Sequence, residues 1–403
     1  DQKNVMFIRP LWDPEVRSRL KNWSYLGEIS DKPGYALRDL ALRRAARIGT
    51  QLTRFNTSKP NPSRLAKEVE RAVAQAMAVN TPEGTRSGGN AAVLRVPEEV
   101  KAAYVSDQRI VTRDIKKAAV YFGADLVGIC RLDRRWVYSH TPDVDGGGTG
   151  PVEGQPVMDV ESEPQEIPDD FQFAVVTAFA EDYNMLKYYP SWIAHAATSM
   201  GYSMMAITNM FLSAFVRSLG FKVIDCSINA VVLSIPLAMQ AGLGELGRNG
   251  LLITPQYGPR VRINVLITDL PLVPDSPIEF GVSEFCTACE KCAKTCPSQS
   301  ILRGNRTTKP RNVSNSGGVW KWPIDAETCR MYWGRANRPC TTCIASCPYA
   351  KPTTLFHRAV LWFTDYARWA DPFYVKMDDL LGYGRPKRPD NFWEEWRPVR
   401  QER

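Results

Sequence analysis

Two runs of cysteine in the C-terminal third of the chain constrain its fold more than any other feature of the sequence. The first run has the spacing C-x2-C-x2-C-x3-C, ends in Pro297, and contains Cys286, Cys289, Cys292 and Cys296. The second repeats the C-x2-C-x3-C half, ends in Pro348, and contains Cys340, Cys343 and Cys347, with Cys329 ahead of it. Because gaps of two residues let one tight loop present three thiols to the same point, residues 286–348 are expected to fold around bound metal.

The spacing is that of bacterial ferredoxins with two [4Fe–4S] clusters, in which the last cysteine of each run ligates the other cluster. One cluster is predicted to be held by Cys286, Cys289, Cys292 and Cys347. The other is predicted to be held by Cys296, Cys329, Cys340 and Cys343. Structural zinc favours paired C-x2-C knuckles and often histidine, and disulfide frameworks are typical of short secreted chains. The sequence therefore favours a protein that carries single electrons, with Cys130 and Cys226 left as buried free thiols.

Length and composition exclude several other classes of protein. A chain of 403 residues, 44% hydrophobic and 23% charged, is expected to form about two globular units. Three His in the whole chain argue against a site built from several histidines. The net charge of +8 is not gathered into an aromatic-interleaved basic block, so nucleic-acid binding is unsupported, and a solvated basic surface or attraction to an anionic membrane face is favoured. No stretch reaches the length of a membrane span.

Strands and helices alternate along the chain, which predicts an α/β layer fold. Buried strands are predicted at 124–131, 171–180, 221–225 and 260–270. Helices are predicted at 39–48, 62–79, from 113 onward, at 191–219, at 228–247 and at 356–369. A turn-rich linker is expected at 81–90, and the acidic residues 141–170 are expected to form a long loop, either a solvated insertion or a docking surface for a basic partner. The predicted units are a helical extension (1–110), a core (111–280), a cluster domain (281–350) and a segment returning to the core (351–403).

Two stretches are candidates for lining a cofactor cavity. From Tyr188 to Val216 the only side chain of the Asp, Glu, Lys, Arg and His classes is His195, so the helix there is expected to be buried on all sides. Its hydroxyl groups and Asn209 then need hydrogen-bond partners. Further on, the turns of AGLGELGRNG permit close backbone approach to a ligand or simply end a helix, and their candidate contacts are Gly242, Leu243, Gly244 and Asn249.

Neither a G-x-G-x-x-G motif after a strand nor a P-loop is present, so a nucleotide cofactor is not indicated. Four segments instead resemble a known family. They are AGLGELGRNGLLITPQYGPRVR at 241–262, EFGVSEFCTACEKCAKTCP at 279–297, CTTCIASCPY at 340–349 and MDDLLGYG at 377–384. The family is that of the corrinoid-dependent reductive dehalogenases of organohalide-respiring bacteria, and the resemblance covers about residues 180–384. Chloroalkane-reducing members are among the relatives that it suggests.

The resemblance implies an α+β, nitroreductase-like core that binds a cobalamin-type corrinoid in its base-off form, with an inserted ferredoxin-like domain carrying the two [4Fe–4S] clusters. The absence of a D-x-H-x-x-G motif agrees with a cobalt that lacks a His ligand. The family's catalytic residues correspond to Tyr202, Asn229 and Arg262, and one extra residue between the Tyr and the Asn keeps Tyr188 and Tyr189 as alternatives for the first.

The chemistry of reductive dehalogenation explains these three residue types. A phenol, whose ordinary pKa is near 10, keeps its proton at neutral pH yet can give it to a carbanion-like carbon. Arg262 would stabilise the tyrosinate left behind, and Asn229 would donate an N–H to the departing halide. The resemblance thus implies that a halogenated hydrocarbon is reduced to a less halogenated product plus halide, as the last step of organohalide respiration.

The resemblance also implies a location and partners. Family members are exported folded through a cleaved twin-arginine signal and lie on the outer face of the cytoplasmic membrane, and a chain beginning at Asp1 fits such processing. The expected partners are a small membrane-anchor protein, a quinone-linked membrane electron donor and a second copy of the chain, with no nucleic acid. Two alternatives stay open: an epoxyqueuosine reductase-like enzyme acting on tRNA, and a plain ferredoxin, which would leave roughly 280 residues ahead of the clusters without a role.

Overall fold

The computed structural model describes residues 1–20, 32–46, 96–142, 162–226, 231–336, 339–352 and 354–394. Its strands are β1 (Leu126–Arg131), β2 (His140–Pro142), β3 (Ser162–Pro164), β4 (Phe173–Ala180), β5 (Val223–Asp225), β6 (Glu245–Leu246), β7 (Leu252–Ile253) and β8 (Val261–Thr268). Four of them form an antiparallel sheet in the order β1-β4-β8-β5. The pairs β2–β3 and β6–β7 form two smaller antiparallel sheets.

The helices are described in two sets, those up to and including the longest helix and those after it. Up to the longest helix they are α1 (Arg9–Trp12), α2 (Pro14–Arg19), α3 (Leu37–Ala46), α4 (Glu98–Tyr104), α5 (Gln108–Tyr121), α6 (Tyr183–Leu186) and α7 (Trp192–Ser218). After it they are α8 (Ser234–Gln240), α9 (Val282–Cys289), α10 (Lys291–Thr295), α11 (Ala326–Ala336), α12 (Thr342–Ala345), α13 (Leu355–Tyr366), α14 (Asp371–Leu380) and α15 (Asn391–Glu394). This mixture of helix and sheet agrees with the α/β prediction, while a nitroreductase-like core, a separate ferredoxin-like domain and the four unit boundaries stay predictions.

The central sheet is buried on both faces because β4 and β8 carry few polar side chains. One face packs on α5 and α7 through residues such as Val175, Leu266 and Met205. The other face packs on α8 through residues such as Val176 and Leu237. A strand covered on both sides reads as a continuous apolar run, which is why FAVVTAFA of β4 was recognisable as a strand in the sequence.

The 27-residue helix α7 is the longest helix of the described residues and packs against the central sheet. The side chain of Ser191 caps its N-terminus by accepting a hydrogen bond from the N–H of Ala194 at 3.4 Å. The first turns of the helix are buried on all sides, but Met200 and Phe211 are 51% and 45% exposed on one stripe, so the expectation that the whole helix is buried on all sides is wrong for its later part. The predicted helix at 191–219 is confirmed, and so are the four predicted sheet strands.

The predicted helix at 228–247 is wrong in most of its length. Among the described residues only Ser234–Gln240 is helical there, and 245–253 contain the β6–β7 hairpin instead. The helix ends because Gly242 adopts a left-handed conformation with φ +72°, which an apolar-periodicity argument does not register. The predicted loop at 141–170 is likewise corrected at its ends, where β2 pairs with β3.

Several predictions fall on residues outside the described ranges, namely the helix at 62–79, the linker at 81–90 and the middle of the acidic loop. Within the described ranges, no helix has the length and apolar character needed to cross a bilayer.

Candidate active site and thiol groups

Two of the three predicted catalytic residues meet at one end of the central sheet. Arg262 lies near the start of β8, and Tyr202 lies in the N-terminal half of α7. The guanidinium group of Arg262 lies over the Tyr202 ring, 5.1 Å from its centroid, and Nη1 donates to the Tyr202 hydroxyl at 3.5 Å. A hydrogen bond of this length is weak, so the phenol keeps the capacity to interact with another group.

Glu181 completes this site and was not singled out from the sequence. It directly follows β4, whose Phe179 is paired with Arg262 in the sheet. Its Oε1 accepts from Nε of Arg262 at 2.5 Å, and its side chain is fully buried. Its second oxygen, Oε2, has no hydrogen-bond partner within the described chain. The only available sequence signal is an acidic residue placed immediately after an apolar strand.

Gly201 makes the approach of β8 to α7 possible. A Cβ atom at this position would lie 2.9 Å from Cγ of Arg262 and 3.7 Å from Cγ of Glu181. Since real Cβ contacts are essentially never below 3.0 Å, a larger residue would push Arg262 away from the helix. The glycine next to Tyr202 is therefore part of what positions the guanidinium group.

The ion pair fixes the charge state of Arg262. Burial by itself would lower the pKa of the guanidinium group, but Glu181 and Tyr202 raise that pKa above its usual value. Arg262 consequently carries a permanent positive charge and presents it to the phenol. This is the electrostatic arrangement that stabilises a tyrosinate after proton donation.

The two alternative tyrosines are engaged elsewhere. Tyr189 is buried and donates its hydroxyl to the carbonyl of Gly384, and burial raises its pKa to about 12. Tyr188 is also buried, and its ring packs edge-on against Phe392 with centroids 5.3 Å apart. Neither has a described contact with Arg262. Asn229, the third predicted catalytic residue, lies outside the described residues.

The eight predicted cluster ligands form two groups in space. One small cavity is lined by the thiols of Cys286, Cys289, Cys292 and Cys347, together with neighbouring residues. In the other group, burial raises the pKa of Cys329 to about 12, and the nearby Cys340 and Cys296 raise it further. Burial, followed by Cys340, Cys329 and Cys296 and then by Cys347 of the first group, also raises the pKa of Cys343. The last cysteine of each run thus lies with the other run, which is the arrangement that crossed ligation needs.

The first group of thiols surrounds a space instead of converging on one point. Across the described residues, no three His, Cys, Asp or Glu side chains are arranged as ligands of a single metal ion. Mononuclear zinc needs four ligands at about 2.0–2.3 Å from one centre. The four thiols of the first group line one cavity without being set at zinc-ligand distances from a common centre. Cys130 and Cys226, as predicted, are buried and unpaired by disulfide.

The GRN portion of AGLGELGRNG anchors the cysteine loops. Arg248, 1% exposed, donates to the carbonyl oxygens of Cys286 at 2.9 Å and Leu302 at 2.8 Å. Asn249 lines the first thiol cavity and donates to the carbonyl of Cys343 at 3.4 Å. These contacts join the two cysteine runs to the core.

The glycines ahead of them pack against protein backbone. A Cβ on Gly242 would lie 2.5 Å from the carbonyl oxygen of Ser276, and one on Gly244 would lie 2.0 Å from that of Ile253. Leu243 belongs to the hydrophobic core beside α8. Contact of Gly242, Leu243, Gly244 and Asn249 with a corrinoid stays a prediction.

A larger cavity, of about 560 Å³, adjoins the first thiol cavity and shares Phe285, Pro348 and Tyr349 with it. Its lining is mostly apolar, from α13 and α14, with polar groups from Lys351, His357, Asp378 and Tyr383. The buried hydroxyl of Tyr349 lies beside the side chain of Thr364, which also lines this cavity. Tyr202 and Arg262 do not line this cavity.

The sequence is similar to known dehalogenases, although no family model matches the chain. It is 37% identical over 296 residues to the tetrachloroethene reductive dehalogenase of Sulfurospirillum multivorans, a match covering 70% of this chain and 59% of that protein. It is 35% identical over 315 residues to the tetrachloroethene reductive dehalogenase of Desulfitobacterium hafniense, covering 68% and 54%. The chain therefore matches somewhat more than half the length of these relatives.

The structural comparison points in the same direction. A solved reductive dehalogenase, for which a mechanism of B12-dependent dehalogenation has been suggested, superimposes with a TM-score of 0.59 and 26% identity, covering 80% of this chain and 42% of that chain. An epoxyqueuosine reductase of Listeria monocytogenes is 35% identical over 115 residues, which is only 28% of this chain and 29% of that protein.

Proposed function

We propose that the chain is an oxidoreductase that reduces an organohalide and releases halide. The reason is that the chain belongs to the reductive dehalogenases over the region that matches them. The observation that carries the proposal is the pairing of Tyr202 with a permanently charged Arg262 in a molecule that also holds two groups of four thiols. A proton donor and an electron path are the two things that a carbon–halogen reduction requires.

We propose that the thiols hold two [4Fe–4S] clusters with crossed ligation. Cys286, Cys289, Cys292 and Cys347 would hold cluster 1, and Cys296, Cys329, Cys340 and Cys343 would hold cluster 2. An all-cysteine donor set around a cavity fits an iron–sulfur cluster in ligand type and number. The N–H of Ser300 donates to Sγ of Cys296 at 3.4 Å, a contact of the kind that stabilises a cluster thiolate.

We propose that the second cofactor is a cobalamin-type corrinoid in its base-off form. The 560 Å³ cavity is not assigned to it, because Tyr202 and Arg262, which would have to reach a substrate beside the corrinoid, do not line that cavity. On the family resemblance, the corrinoid's candidate contacts are Gly242, Leu243, Gly244 and Asn249. Each His side chain has a hydrogen-bonding neighbour in the protein: Arg43 for His195, Ser139 for His140, and Thr354 and Tyr383 for His357. These contacts support a base-off cofactor whose cobalt has no His ligand.

Bound, the corrinoid would supply a reduced cobalt for the halogenated substrate, and the clusters would supply its electrons one at a time. Tyr202 would hold the proton for the carbon that loses halide, in the part of α7 that carries no Asp, Glu, Lys or Arg. Arg262 would stabilise the resulting phenolate, and Glu181 would keep Arg262 in place. Asn229 is proposed, on the family resemblance alone, to donate to the departing halide.

The location and the partners are proposed on the same resemblance. We infer that the protein acts on the outer face of the cytoplasmic membrane after twin-arginine export, as a homodimer held by a small anchor protein and supplied by a quinone-linked donor. The exposed Trp362, Tyr366 and Trp369 support contact with an apolar partner of this kind. Fractionation of cells that produce the full-length protein, with and without an alkaline or high-salt wash, tests the location.

Cofactor analysis followed by two activity assays tests the proposed function. We expect corrinoid absorption bands, about eight iron atoms per chain on the four-iron stoichiometry, and halide release from a chlorinated hydrocarbon. Iron without corrinoid would support a plain ferredoxin. Turnover of an epoxyqueuosine-modified tRNA stem-loop without halide release would support the epoxyqueuosine reductase alternative, which at present rests on a match to only 28% of the chain.

A further inference from the structure

The segment MDDLLGYG, which none of the proposed steps uses, is seated on the two cysteine loops that would hold cluster 1. A Cβ on Gly384 would lie 3.0 Å from Cα of Ser346, next to Cys347, and 3.1 Å from Cε of Lys291, next to Cys292. Gly384 also has φ +74°, a conformation that L side chains rarely adopt. The segment therefore ends in close contact with both halves of the thiol site.

Asp378 of this segment pairs with two buried lysines. Its Oδ2 accepts from Nζ of Lys291 at 2.5 Å, and its Oδ1 accepts from Nζ of Lys351 at 2.8 Å. All three residues are 7–8% exposed. Lys291 is further held by the carbonyl of Tyr383 at 2.8 Å, and Nζ of Lys351 lies 4.2 Å from the centroid of the Tyr383 ring. Every charged atom of the group has a partner.

The two lysines flank the ligands of one thiol group. Lys291 lies between Cys289 and Cys292 in the sequence, and Lys351 follows Cys347 by four residues. Asp379 also contacts Lys291, at 2.6 Å, but its side chain is 60% exposed, so solvent and salt screen its charge. Within the buried part, two positive charges are therefore compensated by one negative charge.

We propose that Lys291, Lys351 and Asp378 form a buried charge group that raises the reduction potential of cluster 1 relative to the value that its thiolates alone would give. The inference rests on the proposed iron–sulfur clusters. A cluster held by four thiolates gains negative charge on reduction, and its potential depends on nearby charge and on solvent exposure. A net positive field in a low-dielectric environment stabilises the reduced form, whereas the same charge in water would be screened.

Neutralising one member at a time separates this effect from a structural role. Lys351→Met removes one positive charge while Asp378 keeps Lys291 as its partner, so the midpoint potential of cluster 1 should become more negative. Asp378→Asn removes the negative charge and should shift it in the positive direction. Lys351→Arg keeps the charge and should retain the wild-type potential. The matched control is Lys294→Met, since Lys294 stands in the same cysteine run but is 59% exposed.

The experiment is a redox titration of the iron-loaded full chain, monitored by electron paramagnetic resonance of the reduced clusters, with Cys296→Ala used to assign the signals to clusters 1 and 2. The inference is supported if Lys351→Met shifts cluster 1 negatively, by more than Lys294→Met does, and leaves cluster 2 in place. It is overturned if cluster 1 does not shift, if both lysine variants shift it equally, or if both clusters shift together. Absence of iron from the wild-type chain would instead contradict the proposed function.

Discussion

Two buried ion-pair sites in this molecule differ in how completely their polar groups are paired. At the active-site end of the sheet, Glu181 uses one carboxylate oxygen for Arg262 and leaves the other without a described partner. The bond from Arg262 to Tyr202 is 3.5 Å long. On the thiol side, Asp378 uses both oxygens, at 2.5 and 2.8 Å, for two lysines. The first site is incompletely paired and the second is saturated.

This difference corresponds to two different tasks. A buried polar group without a partner costs about 1–3 kcal/mol, and such groups are typical of sites that a ligand later completes. A saturated group keeps its geometry and supplies a constant field. Proton donation needs a group whose bonding changes during the reaction, whereas electron transfer through a cluster needs surroundings that do not move. The pairing therefore agrees with a proton-donating site at Tyr202 and an electron-carrying site at the thiols.

The largest expected effect is the loss of one iron–sulfur cluster on the thiol side. Cys296→Ala should remove cluster 2, because Cys296 is grouped with Cys329, Cys340 and Cys343 and not with the rest of its own run. Iron content should fall by about half, from about eight to about four atoms per chain. The remaining signal in electron paramagnetic resonance should be that of the cluster held by Cys286, Cys289 and Cys292. Loss of that signal with retention of the other would contradict crossed ligation.

The next effect isolates the proton donor. Tyr202→Phe removes one hydroxyl and should leave iron and corrinoid content unchanged. Since loss of a general acid typically costs about 10²–10⁴-fold in rate, halide release should fall at least about a hundredfold. Tyr189→Phe is the matched control, because the Tyr189 hydroxyl bonds the backbone of Gly384 and has no described contact with Arg262. Equal losses in both variants would remove Tyr202 from the role.

A third variant measures what holds Arg262. Glu181→Gln leaves a buried guanidinium charge uncompensated, and breaking a buried ion pair in this way costs about 3–5 kcal/mol of unfolding free energy. Glu99→Gln, at an exposed position, should stay within about 0.5 kcal/mol of wild type. Denaturant unfolding of the three proteins at pH 7 gives the values. A loss for Glu181→Gln no larger than that of the control would mean that the pair contributes nothing to the fold.

The smallest expected effect concerns Asp371, which lies on the thiol side but, unlike Asp378, does not have both carboxylate oxygens paired. Asp371 is 3% exposed, one of its oxygens lacks a described partner, and burial raises its pKa from 3.8 to about 6. The folded state therefore binds this proton more tightly than the unfolded state. The resulting stabilisation is full below about pH 4 and is lost as the pH rises through about 6. Asp371→Asn should flatten the unfolding free energy between these pH values, and an unchanged slope would contradict the assignment.

How well each of the two regions can be predicted from the sequence depends on whether its residues are marked by a pattern within one short segment. The cysteine runs could be recognised because ligand spacing within a loop is itself the signal, and their assignment to two clusters stays a prediction. Strand β4 was predicted because a doubly covered strand is apolar throughout. Tyr202 and Arg262 came from a resemblance, and their contact depends on Gly201 and on strand register, which no short motif encodes. Glu181 and Asp378 were missed because a single acidic residue gives no sign that it will be buried against a cation.

The most direct test of the account is a single-turnover experiment on the protein loaded with both cofactors. The clusters are reduced chemically, a chlorinated hydrocarbon is added without excess reductant, and released chloride and the remaining reduced-cluster signal are measured together. Wild type is expected to release chloride as its clusters are oxidised, while Tyr202→Phe is expected to keep its clusters reduced and to release at least about a hundredfold less chloride in the same time. Clusters that are reduced normally in a corrinoid-loaded wild-type protein that releases no chloride would contradict this expectation.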